Sequence, residues 1–177
     1  EYVYSSAYDD GEGWTTPDIS PANPLLYRFL GLNIYSAGPA NSLSVRVNAA
    51  GNAENARNLR INLNTSTGIE IYNVGMPFFT YKRAVINNLP LSSFLGSTTQ
   101  LILAATNVSS VSTDRMVVAS MGITYPATFN FNNEKHFQFD LEPSATGNYL
   151  NISNFNAGAG QPILYDLING QRYIGET

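Results

Sequence analysis

Along most of this chain apolar residues recur at every second position, and that period builds half-buried strands rather than helices. The stretch DRMVVASMGITYP, which starts at Asp114, shows it well. Val117, Ala119, Met121, Ile123 and Tyr125 share one parity and Ser120, Gly122 and Thr124 the other, so the first set is expected to face a core. Pro126 lacks an N–H and holds Tyr125 extended, so ladder pairing is expected to stop there. This strand is read as central to its sheet, with a second segment beginning beyond it.

The same alternation marks residues 2–8, 25–35, 43–48, 59–63, 69–74, 81–86, 100–106 and 115–125. Leu43, Val45 and Val47 alternate with Ser44 and Arg46, and Leu59, Ile61 and Leu63 with Arg60 and Asn62. Turn-forming clusters separate the runs: DDGEG, SAGPANS, AAGNAENARN and NTSTG. Eight short strands at this spacing predict an all-β fold, a jelly-roll-like antiparallel β-sandwich over residues 1–126. Helix signals are nearly absent. AENARNLR reads as a loop entering a strand, and LSSFLG, after Pro90, as one short turn.

After Pro126 the pattern restarts. Phe129 and Phe131 alternate, NNEK offers a turn, and Phe137, Phe139 and Leu141 alternate again, which predicts a hairpin. Short strands are expected near 149–152 and 163–167, the latter joined through Asn169-Gly170 to 171–174. Residues 127–177 thus form a small β-unit. About fifty residues bury little apolar surface by themselves, so this unit is expected to lean on the sandwich or on a C-terminal domain beyond Thr177.

Composition narrows the chemistry. The chain has no cysteine, which removes disulfides, thiolate metal sites and a cysteine nucleophile. Charged residues make up only 12% and the net charge is −4, so no basic footprint for nucleic acid or an anionic membrane exists at the level of the whole chain. No apolar run reaches the length of a membrane span. A weakly charged surface rich in Asn, Ser and Thr suits an extracellular or outer-surface protein. The chain opens in mid-pattern, as a mature fragment or excised piece does.

His136 is the sole histidine, beside Lys135 at a strand start, and reads as an exposed turn residue rather than a general base. No Gly-x-Ser-x-Gly elbow occurs. No catalytic residue is therefore assigned. The acidic turn Asp9-Asp10-Gly11-Glu12-Gly13 has the oxygen-rich composition calcium requires. A jelly roll that brings its first and last strands together would add Asp114 to Asp9, Asp10 and Glu12 as ligands. The bland alternative is a solvated turn before Trp14. Trp14 and eleven tyrosines supply rings on which sugars stack, although most of the tyrosines lie in alternating strands where packing is the default. The sequons at Asn64, Asn107 and Asn151 are what an Asn- and Ser-rich chain produces by chance.

The order of these segments resembles the non-catalytic β-region of gingipain-like cysteine peptidases, in particular the type IX secretion system sortases of Bacteroidetes. The resemblance rests on Asp114-Arg115 opening a strand that closes in Tyr125-Pro126, then Phe137-Gln138-Phe139, residues 151–155, and Ile163-Leu164-Tyr165-Asp166. The strand at 43–48, followed by 59–62, also looks like that family's sandwich core. Where the family often carries a second Asp before an aromatic, this chain has Ala119 and Ser120. The family's catalytic His and Cys have no counterpart here. The resemblance implies an accessory region of a secreted peptidase, with the catalytic domain following as a partner in the same polypeptide. Two other classes stay open: a carbohydrate-binding jelly roll, and an adhesion or scaffold module of a surface protein.

Overall fold

A computed structural model describes residues 4, 13–38, 42–93, 100–141 and 143–175. The chain divides into two compact units, residues 1–127 and 128–177.

The first unit is an antiparallel β-sandwich, with seven strands among the described residues. They are β1 (Leu25–Leu30), β2 (Ser42–Gly51), β3 (Arg57–Leu63), β4 (Ile69–Met76), β5 (Tyr81–Pro90), β6 (Gln100–Val108) and β7 (Met116–Thr124). One sheet has the order β1-β6-β3-β4 and the other β5-β2-β7. Only the β3–β4 connection stays within a sheet; each other step between consecutive strands crosses to the opposite one. The all-β, jelly-roll-like sandwich expected from the alternation is the fold of this unit.

One core lies between the sheets. Val45 and Val47 of β2, Leu59 and Ile61 of β3, Leu103 of β6 and Met116 of β7 are all buried in it. Burial of such side chains contributes roughly 1.5–3 kcal/mol each relative to exposure. β1 ends at Leu30 rather than continuing to residue 35, because Gly31 turns into the left-handed region with φ 69°. The expected strand at residues 2–8 lies outside the described residues except at Tyr4, which bridges to Asn52. Part of LSSFLG also lies outside; its first three residues, Leu91–Ser93, form a single 3-10 turn.

β7 departs from its predicted face and position. Its register against β2 steps from Asn48 opposite Ser120 to Ala49 opposite Val118, so Ala119 is an extra residue, a β-bulge. A bulge reverses the parity of everything beyond it. Met116 and Val118 therefore face the core before Ala119, and Met121 and Ile123 face it afterwards. Val117 and Ala119 pack on the outer side with Ala50 and Tyr4. Nor is β7 central, since β2 lies between it and β5. Its leading half is covered instead by residues 16–19, where Ile19 and Met116 exchange both backbone hydrogen bonds at 2.8 and 3.0 Å. Pro126 ends the ladder with β2, yet its carbonyl still accepts from Tyr35 N–H at 2.8 Å.

The second unit contains β8 (Asn130–Glu134), β9 (Ser153–Phe155), β10 (Ile163–Asp166) and β11 (Gln171–Ile174). The hairpin predicted between Phe129 and Leu141 does not form. Asn132 and Asn133 take φ of 49° and 64°, which bends β8 out of an extended ladder, and β8 pairs in parallel with β9 instead. The phenylalanines still collect. Phe131 stacks on Phe137 at 4.0 Å between centroids, and Phe129, Phe139 and Phe155 also pack against Phe131. β10 and β11 form the expected hairpin, but through residues 167–170 rather than a two-residue Asn-Gly turn. Asp166 decides this: its carboxylate accepts from the backbone N–H groups of Ile168 and Asn169 and from Asn169 Nδ2. Gly170 then closes the loop with φ 64°.

These faces predict unequal costs of truncation. Met116→Ala should lose about 2–5 kcal/mol, the range for a buried methionine, and Met121→Ala, half-buried beyond the bulge, markedly less. Urea unfolding of both variants checks this; equal losses would remove the bulge from the account.

Candidate functional site

The residue that sequence placed at a cation site, Asp114, sits instead at the centre of a buried polar hub. It is wholly buried and forms an ion pair with Arg57, Nε to Oδ2 at 2.7 Å. Arg57 Nη2 also donates to Asp114 Oδ1 at 3.0 Å, giving a two-pronged contact. Asn52 Nδ2 donates to Oδ1 at 2.9 Å, Asn55 Nδ2 to Oδ1 at 3.3 Å and Asn107 Nδ2 to Oδ2 at 3.0 Å. Five donor contacts fill the two oxygens. Asp114 is thus not open to calcium.

The sequence produces this hub through strand ends. Arg57 is the first residue of β3, Asn107 is near the end of β6, and Asn52 follows β2. Gly51 makes room for it, since a Cβ there would lie 1.7 Å from Arg57 Nη1. Asn52 spreads the hub into the backbone: its Nδ2 donates to the Arg115 carbonyl at 2.9 Å, and its own carbonyl accepts from Phe79 N–H at 3.1 Å. Arg57 also donates to the Asn55 carbonyl. Loops 52–56, 77–80 and 109–115 are tied together in this way at one end of the sandwich. The 77–80 loop carries Phe78 and Phe79 exposed, with Phe79 at φ 47°, a conformation costly for an aromatic residue.

Burial alone would favour the neutral form of Asp114. The hydrogen bonds from Arg57, Asn107 and Asn55, with the Arg57 charge, prevail and hold its carboxyl below the ordinary carboxylate range. Because the folded value is the lower one, this stabilisation is present above the unfolded aspartate value near pH 4 and fades as pH falls through the folded value.

Asp9, Asp10 and Glu12 lie outside the described residues. Among the described residues no three of His, Cys, Asp and Glu gather into a group that could hold a metal ion. His136 is exposed. Trp14 is exposed at 77% and Tyr149 at 94%, but they belong to different units. Of the sequons, Asn107 is fully buried with its amide on Asp114, which closes it to modification. Sequence reasoning missed Arg57, Asn52, Asn55 and Asn107. A signal existed in Arg57, an arginine at an apolar-parity position in a strand whose next such positions are Leu59 and Ile61.

The second exposed feature is the β10–β11 hairpin. Tyr165, Leu167, Ile168, Tyr173 and Ile174 are all solvent-exposed, Ile168 at 95%. A two-stranded hairpin with uncovered apolar residues is marginal in water, and such a patch marks an interaction surface.

No family model and no curated protein matches the chain. Among solved structures it is similar to a carbohydrate-binding module, CBM36, in complex with calcium and xylotriose. The identity is 10% over 70% of this chain and 99% of that one, with a TM-score of 0.41. At that distance the likeness carries no argument about this chain.

The hub makes a sharp prediction. Asp114→Asn leaves Arg57 buried without its counter-charge and should cost about 3–5 kcal/mol. The acid limb of the stability profile, below about pH 4, should also flatten in the variant. Urea midpoints between pH 2.5 and 7 measure both; an unchanged profile would show that Asp114 titrates normally.

Proposed function

We propose that this chain is a non-catalytic accessory β-region of a secreted or cell-surface gingipain-like cysteine peptidase, of the type IX secretion sortase kind. Its work is to position a catalytic domain that follows in the same polypeptide. The observation that carries this reading is the uncovered apolar surface of the hairpin, with Leu167 and Ile168 at its tip. A docked domain would cover that surface and supply the burial the small unit lacks. The Asp114-Arg115 pair just ahead of β7 also gains a physical meaning: the aspartate anchors the loop end of the sandwich, and the half-buried arginine donates to the Asp114 carbonyl at 2.8 Å.

In this reading the acidic turn Asp9, Asp10 and Glu12 holds calcium without Asp114. Excess chelator then lowers the melting temperature, since release of a ligand bound to the folded state removes stabilisation. An unchanged melting temperature would take calcium out of the account.

The coding sequence after Thr177 tests the main reading. It should encode an α/β domain bearing a His and a Cys. Within that longer protein, Leu167→Asp with Ile168→Asp should lower peptidase activity or its export several-fold while the sandwich stays folded. Absence of such a domain, or full activity of the double variant, contradicts the proposal.

A second reading, a carbohydrate-binding module, has one surface in its favour. The outward face of β2, β5 and β7 is polar and carries an exposed tyrosine, Tyr81.

A further inference from the structure

The charge on the sandwich is unevenly placed. The chain carries a net −4, yet β2, β5 and β7 contain Arg46, Lys82 and Arg83 and no carboxylate at all. Ala84 of β5 and Val45 and Val47 of β2 face the core, so Arg46, Asn48, Tyr81, Arg83 and Val85 face outward. Cross-strand register places Arg46 between Val85 and Gly122, and Asn48 between Arg83 and Ser120.

Gly122 has a structural consequence there. A Cβ at this position would meet nothing within 4 Å, so the glycine leaves open space beside Arg46. Together with Ser44, Asn87 and Thr124 these residues line a depression of about 160 Å³. Arg46 is exposed and has no hydrogen-bond or ion-pair partner among the described residues. The Asn48 side-chain oxygen also lacks a partner, although it is buried. At one end of the row the Arg83 guanidinium lies over the Tyr81 ring, 5.5 Å from its centroid.

We propose that the outward face of β2, β5 and β7 binds a uronate-bearing polysaccharide, with Arg46 taking the carboxylate. This inference rests on the carbohydrate reading and names its site and ligand class. Arg46 offers a planar fork that fits a carboxylate through two hydrogen bonds. The neutral amides and hydroxyls around it match sugar hydroxyls. Val85 gives apolar surface beside Arg46 for the C–H face of a pyranose ring. The lack of acids on these strands removes the repulsion that would exclude an anionic chain.

The test titrates the 177-residue chain with de-esterified polygalacturonate fragments at low salt. Fully methyl-esterified fragments and neutral xylo-oligosaccharides serve as comparators. Binding to the acid form is expected, at least tenfold weaker for the methyl ester and for Arg46→Ala, partly restored in Arg46→Lys, and weakened by added salt. Arg46 is exposed, so unchanged circular dichroism should accompany these losses. Equal binding of acidic and neutral fragments, indifferent to Arg46→Ala, overturns the inference and leaves the carbohydrate reading standing. No binding to any polysaccharide overturns both.

Discussion

A buried ion pair between Arg57 and Asp114 is the constraint on which one end of the sandwich depends. Removing two charges from water is expensive, and the mutual attraction recovers that cost only when geometry and further hydrogen bonds are good. Here the fork of Arg57 and three asparagine amides meet the carboxylate. Even so, Arg57 Nη1 and Asn107 Oδ1 stay unsatisfied, so the hub is not a simple gain in stability. Its clearer effect is positional. It fixes three loops from both sheets to a single point, and the strained Phe79 turn is held in place by a hydrogen bond to Asn52.

The two units present different physics. The sandwich closes a continuous core between two sheets and gathers its buried charges into the hub. The small unit has one well-packed ring, Phe131, ringed by other phenylalanines, and then a hairpin whose apolar residues face water. A surface of that kind is stable in context and marginal without it. The proposed positioning role would draw on the uncovered hairpin, and the proposed saccharide site on the arginine-bearing outer sheet of the sandwich.

Much of the sandwich could be read from period two alone, because Val45, Val47, Leu59, Ile61 and Leu63 obey one rule, the register shifts beside them falling on their partner strands. β7 defeated it for a physical reason. The extra residue at Ala119 exchanges the faces midway, and nothing in VVASM announces a bulge. The phenylalanine hairpin failed similarly, since two consecutive asparagines entered the left-handed region and freed the chain to pair elsewhere. The Asn-Gly turn was overridden by Asp166, three residues upstream of Asn169. At the candidate site, the acidic parity of Asp114 was visible but its partner was not. An ion pair spanning 57 positions in sequence is set by topology, which local pattern cannot supply.

Hydrogen exchange at residues 163–174 tests the proposed positioning role most directly, measured in the isolated 177-residue chain and in the longer protein that the proposal requires. The account predicts fast exchange in the isolated chain for N–H groups at the open edges and tip of the hairpin. In the longer protein it predicts strong protection of those groups, Leu167 and Ile168 included. Equal exchange in both would contradict it, because a hairpin that gains no cover from a following domain positions nothing.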